Sequence, residues 1–233
     1  MAIPRVRIIA EYSDRVRAIL RTAGELSITA GVIMMLFCAY LLWGTSAYTA
    51  RQQLLLQQQL AEEAAEAAKK AQDVAERDKK PEIPKIELGG ALALLRIPSL
   101  GRDYRYAVVE GVDTEHLKRG PGHYPGTAMP GQLGNFVVSG HRTTYSAPFN
   151  RIDELQRGDD IVVEAAEARY TYRVTSQDIV QPDETEVVAP VPGKPDITPT
   201  RSFITLLTCH PEYSAAQRLI VYGVLRETQE RKV

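Results

Sequence analysis

An all-β domain, a barrel or sandwich of short strands, carried behind a membrane-spanning helix and a helical stalk, is the architecture this sequence predicts. Three observations predict it. Residues 26–50 contain no charged side chain. Residues 51–80 are rich in Gln, Ala, Glu and Lys and contain neither Gly nor Pro. From Ala91 onward, short β-branched and apolar runs alternate with turn-forming residues.

The elements follow in order. Residues 1–25 form a basic N-terminus, with Arg5, Arg7, Arg15, Arg17 and Arg21 against Glu11 and Asp14 before Gly24. Residues 26–50 are long enough to span a bilayer, which takes about 20 apolar residues. Tyr40, Trp43 and Tyr48 sit toward the far end, as an interfacial aromatic belt would. Arginine excess on the near flank predicts a cytoplasmic N-terminus and an extracellular remainder. A cleaved signal peptide is the rival, but the apolar stretch is long and no convincing A-x-A site follows it.

Residues 51–80 read as a helical stalk. Leu60, Ala64, Ala67, Ala71 and Val74 recur at spacings of four and three, a weak seam that would allow self-association. Alanine buries little area, so a solvated stalk is the expectation. Pro81, Pro84 and the pair Gly89-Gly90 mark a linker over residues 81–90.

Residues 91–233 form the β-domain. Strands are expected over residues 91–97, 104–110, 135–139, 160–165, 168–180, 202–208 and 218–223, with helical turns over 114–118 and 152–155. Residues 183–200 carry Pro190, Pro192, Pro195 and Pro199. That density excludes a central strand, and a long loop beside a chemical site is often functional.

The chemistry centres on the last two strands. The first ends at Cys209, a turn follows through Pro211 and Ser214, and the second begins at Arg218. In an antiparallel hairpin Cys209 and Arg218 become cross-strand neighbours, about 5 Å apart at Cβ. Two readings are open from the hairpin alone. One is a small buried cysteine beside a snorkelling arginine; the other is a thiolate nucleophile beside a cation that favours it or binds an oxyanion. Balanced charge, 28 basic against 29 acidic residues, excludes a nucleic-acid-binding composition. Two cysteines, Cys38 and Cys209, make no disulfide framework.

The run Thr205-Leu206-Leu207-Thr208-Cys209, with Arg218 on the next strand, resembles the TLxTC signature of the sortases, cysteine transpeptidases of Gram-positive cell surfaces. His210-Pro211 after the cysteine is most similar to the class E sortases of actinobacteria. The resemblance extends over about residues 91–227 and implies an eight-stranded β-barrel, with residues 183–200 flanking a substrate groove. It also implies which histidine acts. His210 neighbours Cys209 but points to the opposite strand face; His116 lies in a charged stretch; His123 sits in the turn-rich Gly120-Pro-Gly-His-Tyr-Pro-Gly. His141 follows the apolar strand beginning at Asn135, and Gly140 before it permits a sharp turn. A Gly-His pair after a buried strand is the sortase pattern for the catalytic histidine.

The implied catalytic set is therefore His141, Cys209 and Arg218. Thr208 is expected to line the substrate site, and Tyr145 to line the groove, with ordinary packing as its other reading. The implied partners are an LPxTG- or LAxTG-like sorting signal, a peptidoglycan-precursor amine and the membrane, crossed once. No cofactor is expected. Asp183, Glu184 and Glu186 cluster in the loop, where some sortases bind calcium, but three carboxylates without ligand spacing read as a solvated charge run. Two other classes share these residues: a thiol hydrolase, and an idle membrane-tethered domain that binds cell-wall components. The L,D-transpeptidases place their cysteine in an SHGC-type motif that this chain lacks.

Overall fold

The computed structural model describes residues 5–74 and 87–230. It divides into two compact units, Met1–Gly44 and Thr45–Val233. The first unit consists of helix α1 (Arg5–Ala39) and a π-helical segment, Tyr40–Gly44. Within α1, Leu20–Ala39 is long and apolar enough to cross a membrane, and its side chains face outward.

The second unit opens with helix α2 (Thr45–Val74). Here two expectations need correction. The apolar span, expected to reach Ala50, stops short of it, because Thr45 and Thr49 are buried on the β-domain. The stalk, expected to be solvated, is docked. Leu56 is 1% exposed in a cluster with Ala91, Ala107 and Val109, and Leu60 packs against the same cluster. Burying one leucine this fully contributes about 2 kcal/mol. The docked face was hard to see because it mixes two leucines with the hydroxyls of Thr45 and Thr49. Leu60 of the expected seam is thus occupied within the chain. The side chains of Trp43, Ala67, Ala71 and Val74 lie outside the described residues, as do Pro81 and Pro84.

Eight strands follow: β1 (Ala91–Arg96), β2 (Arg105–Glu110), β3 (Gly122–His123), β4 (Gly134–Ser139), β5 (Asp160–Glu164), β6 (Ala168–Val180), β7 (Ser202–His210) and β8 (Gln217–Glu230). They close into a barrel in the order β1-β2-β3-β4-β7-β8-β6-β5, with β5 returning to β1. The pairs β2/β3 and β4/β7 are parallel and the others antiparallel. Closure removes most of the free strand edge that an open sheet would expose.

Alternation along each strand sorts side chains to two faces. Phe136 and Val138 of β4, Ile204 and Leu206 of β7, and Leu219 and Val221 of β8 fill the barrel interior with Leu95, Ile161 and Tyr172. Ile220 of β8, flanked by Leu207 and Tyr222, faces outward instead. It is covered by Val187 and Val188 of a 3-10 turn (Thr185–Val188) in the β6–β7 connection, with Val180. The long loop predicted over residues 183–200 therefore packs on the outer face of β7 and β8.

One strand was not expected. Gly122 and His123 add to β2 and β4 as β3, inside a segment read as turns. His123 bonds both within that segment and beyond it. It is 1% exposed, stacks on Phe136, pairs its Nδ1 with Glu110 Oε2 at 2.6 Å and meets Thr127 Oγ1 at 2.9 Å. All seven expected strands, β1, β2 and β4 to β8, begin within one residue of expectation, and β8 ends seven residues further on.

Candidate active site

The site forms where β4, β7 and β8 lie side by side. On β7 and β8 the register sets Cys209 opposite Arg218. On β4 and β7, which run parallel, Ser139 pairs with Leu207. The match continues one step: the Gly140 N–H donates to the Leu207 carbonyl at 3.1 Å, and Thr208 Oγ1 donates to the Gly140 carbonyl at 2.8 Å. His141 and Cys209 thus leave the ends of neighbouring strands at the same level, and such strands lie about 4.8 Å apart. Cys209 and Arg218 are paired across β7 and β8, and His141 follows two residues after the last paired position of β4.

Cys209 is a free thiol, half-buried, on the same outward face as Leu207 and Thr205. Arg218 is half-buried, and its Nη1 donates to the carbonyls of Ala215 and Gln217, both at 2.9 Å. One nitrogen of the fork is thereby anchored to the turn, while Nε and Nη2 have no hydrogen-bond partner among the described residues. Asn150 ties the two halves of the site together. Its Nδ2 donates to the Arg142 carbonyl at 2.9 Å and to Glu212 Oε1, in the β7–β8 turn, at 2.6 Å.

His141 is half-buried, and its Nε2 is enclosed without a hydrogen-bond partner. Burial pushes the imidazole below its ordinary value, because the charged form loses solvation. The ring of Tyr145 lies 5.0 Å from it, tilted by 37°. Tyr145, Ser146 and Ala147 all have left-handed backbone, with φ of 52°, 62° and 42°. For residues with a Cβ this costs about 1–2 kcal/mol each, so neighbouring groups must hold the segment. They do: Tyr104 donates to the Pro148 carbonyl at 2.7 Å, Tyr106 to the Ser146 carbonyl at 3.3 Å, and the Phe149 N–H to the His141 carbonyl at 3.0 Å.

Gly140 matters for a different reason than expected. Its backbone is not left-handed. A Cβ there would meet the buried ring of Phe149 at 2.7 Å, so the glycine is required by close packing. Thr208 also departs from expectation. It is 1% exposed and bonded to Gly140, so it joins β7 to β4 and does not line a groove. Strand alternation explains this, since Thr208 shares the inward face of Ile204 and Leu206. His210 continues strand β7, opposite Gln217, and points away from Cys209 as alternation requires. Asp113 caps the short helix α3 (Thr114–Leu117), and its Oδ2 lies 2.9 Å from His116 Nδ1.

Sequence reasoning missed Asn135. It is 1% exposed; its Nδ2 donates to the carbonyls of Val187 and Ala189 at 3.1 and 3.0 Å, and its Oδ1 accepts from Thr205 Oγ1 at 2.8 Å. One amide thus fastens the β6–β7 loop to β4 and β7 beside the site. An asparagine opening an otherwise apolar strand is the only sign of it in the sequence. Asp183, Glu184 and Glu186 are exposed, and no cluster of three metal-ligating side chains occurs among the described residues.

This geometry agrees with comparison to known proteins. A family model described as Sortase domain matches residues 95–226. The chain belongs to the sortase family. Members of that family are cysteine transpeptidases. Sortase SrtE1 of Streptomyces coelicolor is 36% identical over 219 residues, covering 91% of this chain and 58% of that protein; the chain therefore spans just over half of that relative's length. Among solved structures, sortase E of Streptomyces avermitilis is 40% identical, with a TM-score of 0.56 over 62% of this chain and 93% of that one. The SrtF sortase of Corynebacterium diphtheriae is 30% identical, with a TM-score of 0.63 over 67% of this sortase and 94% of that one. The barrel and the class E likeness expected from the TLxTC run and His210-Pro211 are both borne out.

Proposed function

We propose that this sortase is a membrane-anchored transpeptidase that cleaves an LPxTG- or LAxTG-like sorting signal after its threonine and joins the product to a cell-wall amine. Cys209 as thiolate attacks the threonine carbonyl carbon, forming a C–S bond as the peptide C–N bond breaks. His141 as imidazolium gives its proton to the leaving amine. Arg218 donates from the unanchored part of its fork to the carbonyl oxygen as charge builds there, a contribution of about 3 kcal/mol by the precedent of oxyanion donors. The resulting thioester is attacked by the amine of a peptidoglycan precursor, whose proton passes to His141, and Cys209 departs as thiolate.

The observation that supports this reading is the pairing of Cys209 with Arg218 across β7 and β8, with His141 two residues beyond the end of the neighbouring strand β4. Half-burial of His141 adds to it: burial lowers the pKa of the imidazole, so its protonated form gives up the proton to the leaving amine more readily. The N-terminus lies in the cytoplasm and the barrel outside, on the strength of the arginine-rich flank before the apolar helix.

Mass spectrometry of the protein after incubation with LPxTG and LAxTG peptides tests the reaction. The expected result is a covalent adduct retaining the peptide up to threonine, absent in Cys209→Ala and discharged to a new amide when an amine is added. Absence of any adduct with either peptide would overturn the proposal. Discharge to the free acid alone, in the presence of amine, would make the protein a hydrolase. Protease added to intact protoplasts should remove the barrel; its protection would reverse the topology.

A further inference from the structure

Gln53 of α2 is a buried polar side chain that the reaction does not use. It is 7% exposed, and its amide is bonded at both ends: Oε1 accepts from the Ala107 N–H at 2.7 Å, while Nε2 donates to the carbonyls of Ala107 and Arg119 at 3.0 and 2.8 Å. The reason lies in the barrel. Strand β3 is two residues long and pairs with β2 only at Val109 and Glu110. The edge of β2 at Ala107 is left open, and Gln53 supplies the donor and acceptor that a longer β3 would have given. Thr49, one helical turn earlier and fully buried, donates to the Lys118 carbonyl at 2.7 Å.

The same helix reaches the site. Ser46 offers its carbonyl to Ser146 Oγ at 3.2 Å. Ser146 is the middle of the three consecutive left-handed residues, and its own carbonyl accepts from Tyr106, the residue before Ala107. On one side of the strained segment stands α2, on the other β2, and Gln53 locks these two together. At the start of the segment, the ring of Tyr145 lies against His141.

We propose that α2 is a positioning element of the active site: Gln53 and the Ser46 carbonyl hold Tyr145–Ala147 in its left-handed conformation and so keep Tyr145 against His141. The membrane-proximal helix is then part of the catalytic apparatus. This inference rests on His141 acting as the proton donor described above.

The test uses the full chain in detergent micelles and single-turnover thioester formation with an LAxTG peptide. Rates are read over a range of peptide concentrations, well below each variant's melting temperature. Gln53→Ala should lower kcat by about tenfold with KM within about twofold, because the peptide still binds while the proton donor is misplaced. Ser146→Ala should lower kcat by about threefold. In a Tyr145→Ala background, Gln53→Ala should cause no further loss, since residues acting through one another are not additive. A merely structural glutamine would lower the melting temperature and leave kcat unchanged, or its effect would multiply with that of Tyr145→Ala; either result overturns the inference. If Gln53→Ala does not fold, Ser146→Ala decides alone, and an unchanged kcat there overturns it. Retained turnover in His141→Ala would instead sink the proposed function. Inactive His141→Ala beside an unaffected Gln53→Ala would sink only this inference.

Discussion

Replacing Gly140 by alanine should damage catalysis more than stability, and the structure gives the size of both effects. A methyl group there stands 2.7 Å from Cδ2 of Phe149 and 3.0 Å from its Cε2 and Cγ. Carbon atoms settle at about 3.5 Å, so something must yield by about 0.8 Å. The Phe149 ring cannot retreat: it is fully buried in the main core with Phe136 and Val138. The end of β4 gives instead, and that end carries His141. Overpacking of this kind costs about 1–3 kcal/mol, which for a domain of this size lowers Tm by about 3–10 °C. Moving a proton donor by a large fraction of an ångström costs about 10- to 100-fold in rate. Differential scanning calorimetry and single-turnover acylation read the two separately. Phe149→Leu in the same protein frees space and should recover part of the lost rate. Acylation within twofold of the parent, or a double variant no better than Gly140→Ala, would refute the steric argument.

Four further outcomes are expected. Arg218→Lys keeps the charge but loses the fork, one arm of which holds the turn; acylation should collapse with the fold intact by circular dichroism, and near-normal turnover would refute the forked role. Tyr145→Ala opens one face of His141 to water, relieving the burial that depresses its pKa, so the limb of the pH–rate profile on which the imidazolium is lost should move to higher pH; a fixed limb would show that Tyr145 does not shield it. The same depressed pKa means the unfolded chain takes up the proton first as pH falls through about 6.5, so His141 weakens the fold on the acid side and His141→Gln should flatten stability there. Leu56→Ala should lower the stability of the barrel by about 2–4 kcal/mol in urea melts, whereas a freely solvated stalk would show no change.

Much of the site was legible because its chemistry is local. The TLxTC run ends a strand, a short turn follows, and two adjacent antiparallel strands leave little choice but to face Cys209 with Arg218. Other assignments needed the neighbouring strand. Thr208 was read as substrate-lining from its place beside Cys209, yet alternation turns it inward, where the Gly140 carbonyl takes its hydroxyl. Asn135 could not be singled out, because its partners, Val187 and Ala189, lie more than fifty residues away.

By itself the sequence determined the apolar helix, the all-β domain, seven strand starts to within a residue and the Cys209–Arg218 pair. Each follows from periodicity or spacing within a short window, where side-chain direction is set by the backbone alone. Only the tertiary structure decided that Gly140 is small because of Phe149, that Thr208 turns inward, and that α2 belongs to the barrel. These depend on which strands become neighbours and on how far each one runs. β3 stops after two residues, leaving the edge of β2 open at Ala107, and the amide of a glutamine fifty-four positions earlier closes it. An unpaired backbone group exists only once a sheet has edges, so no local pattern could have announced its partner.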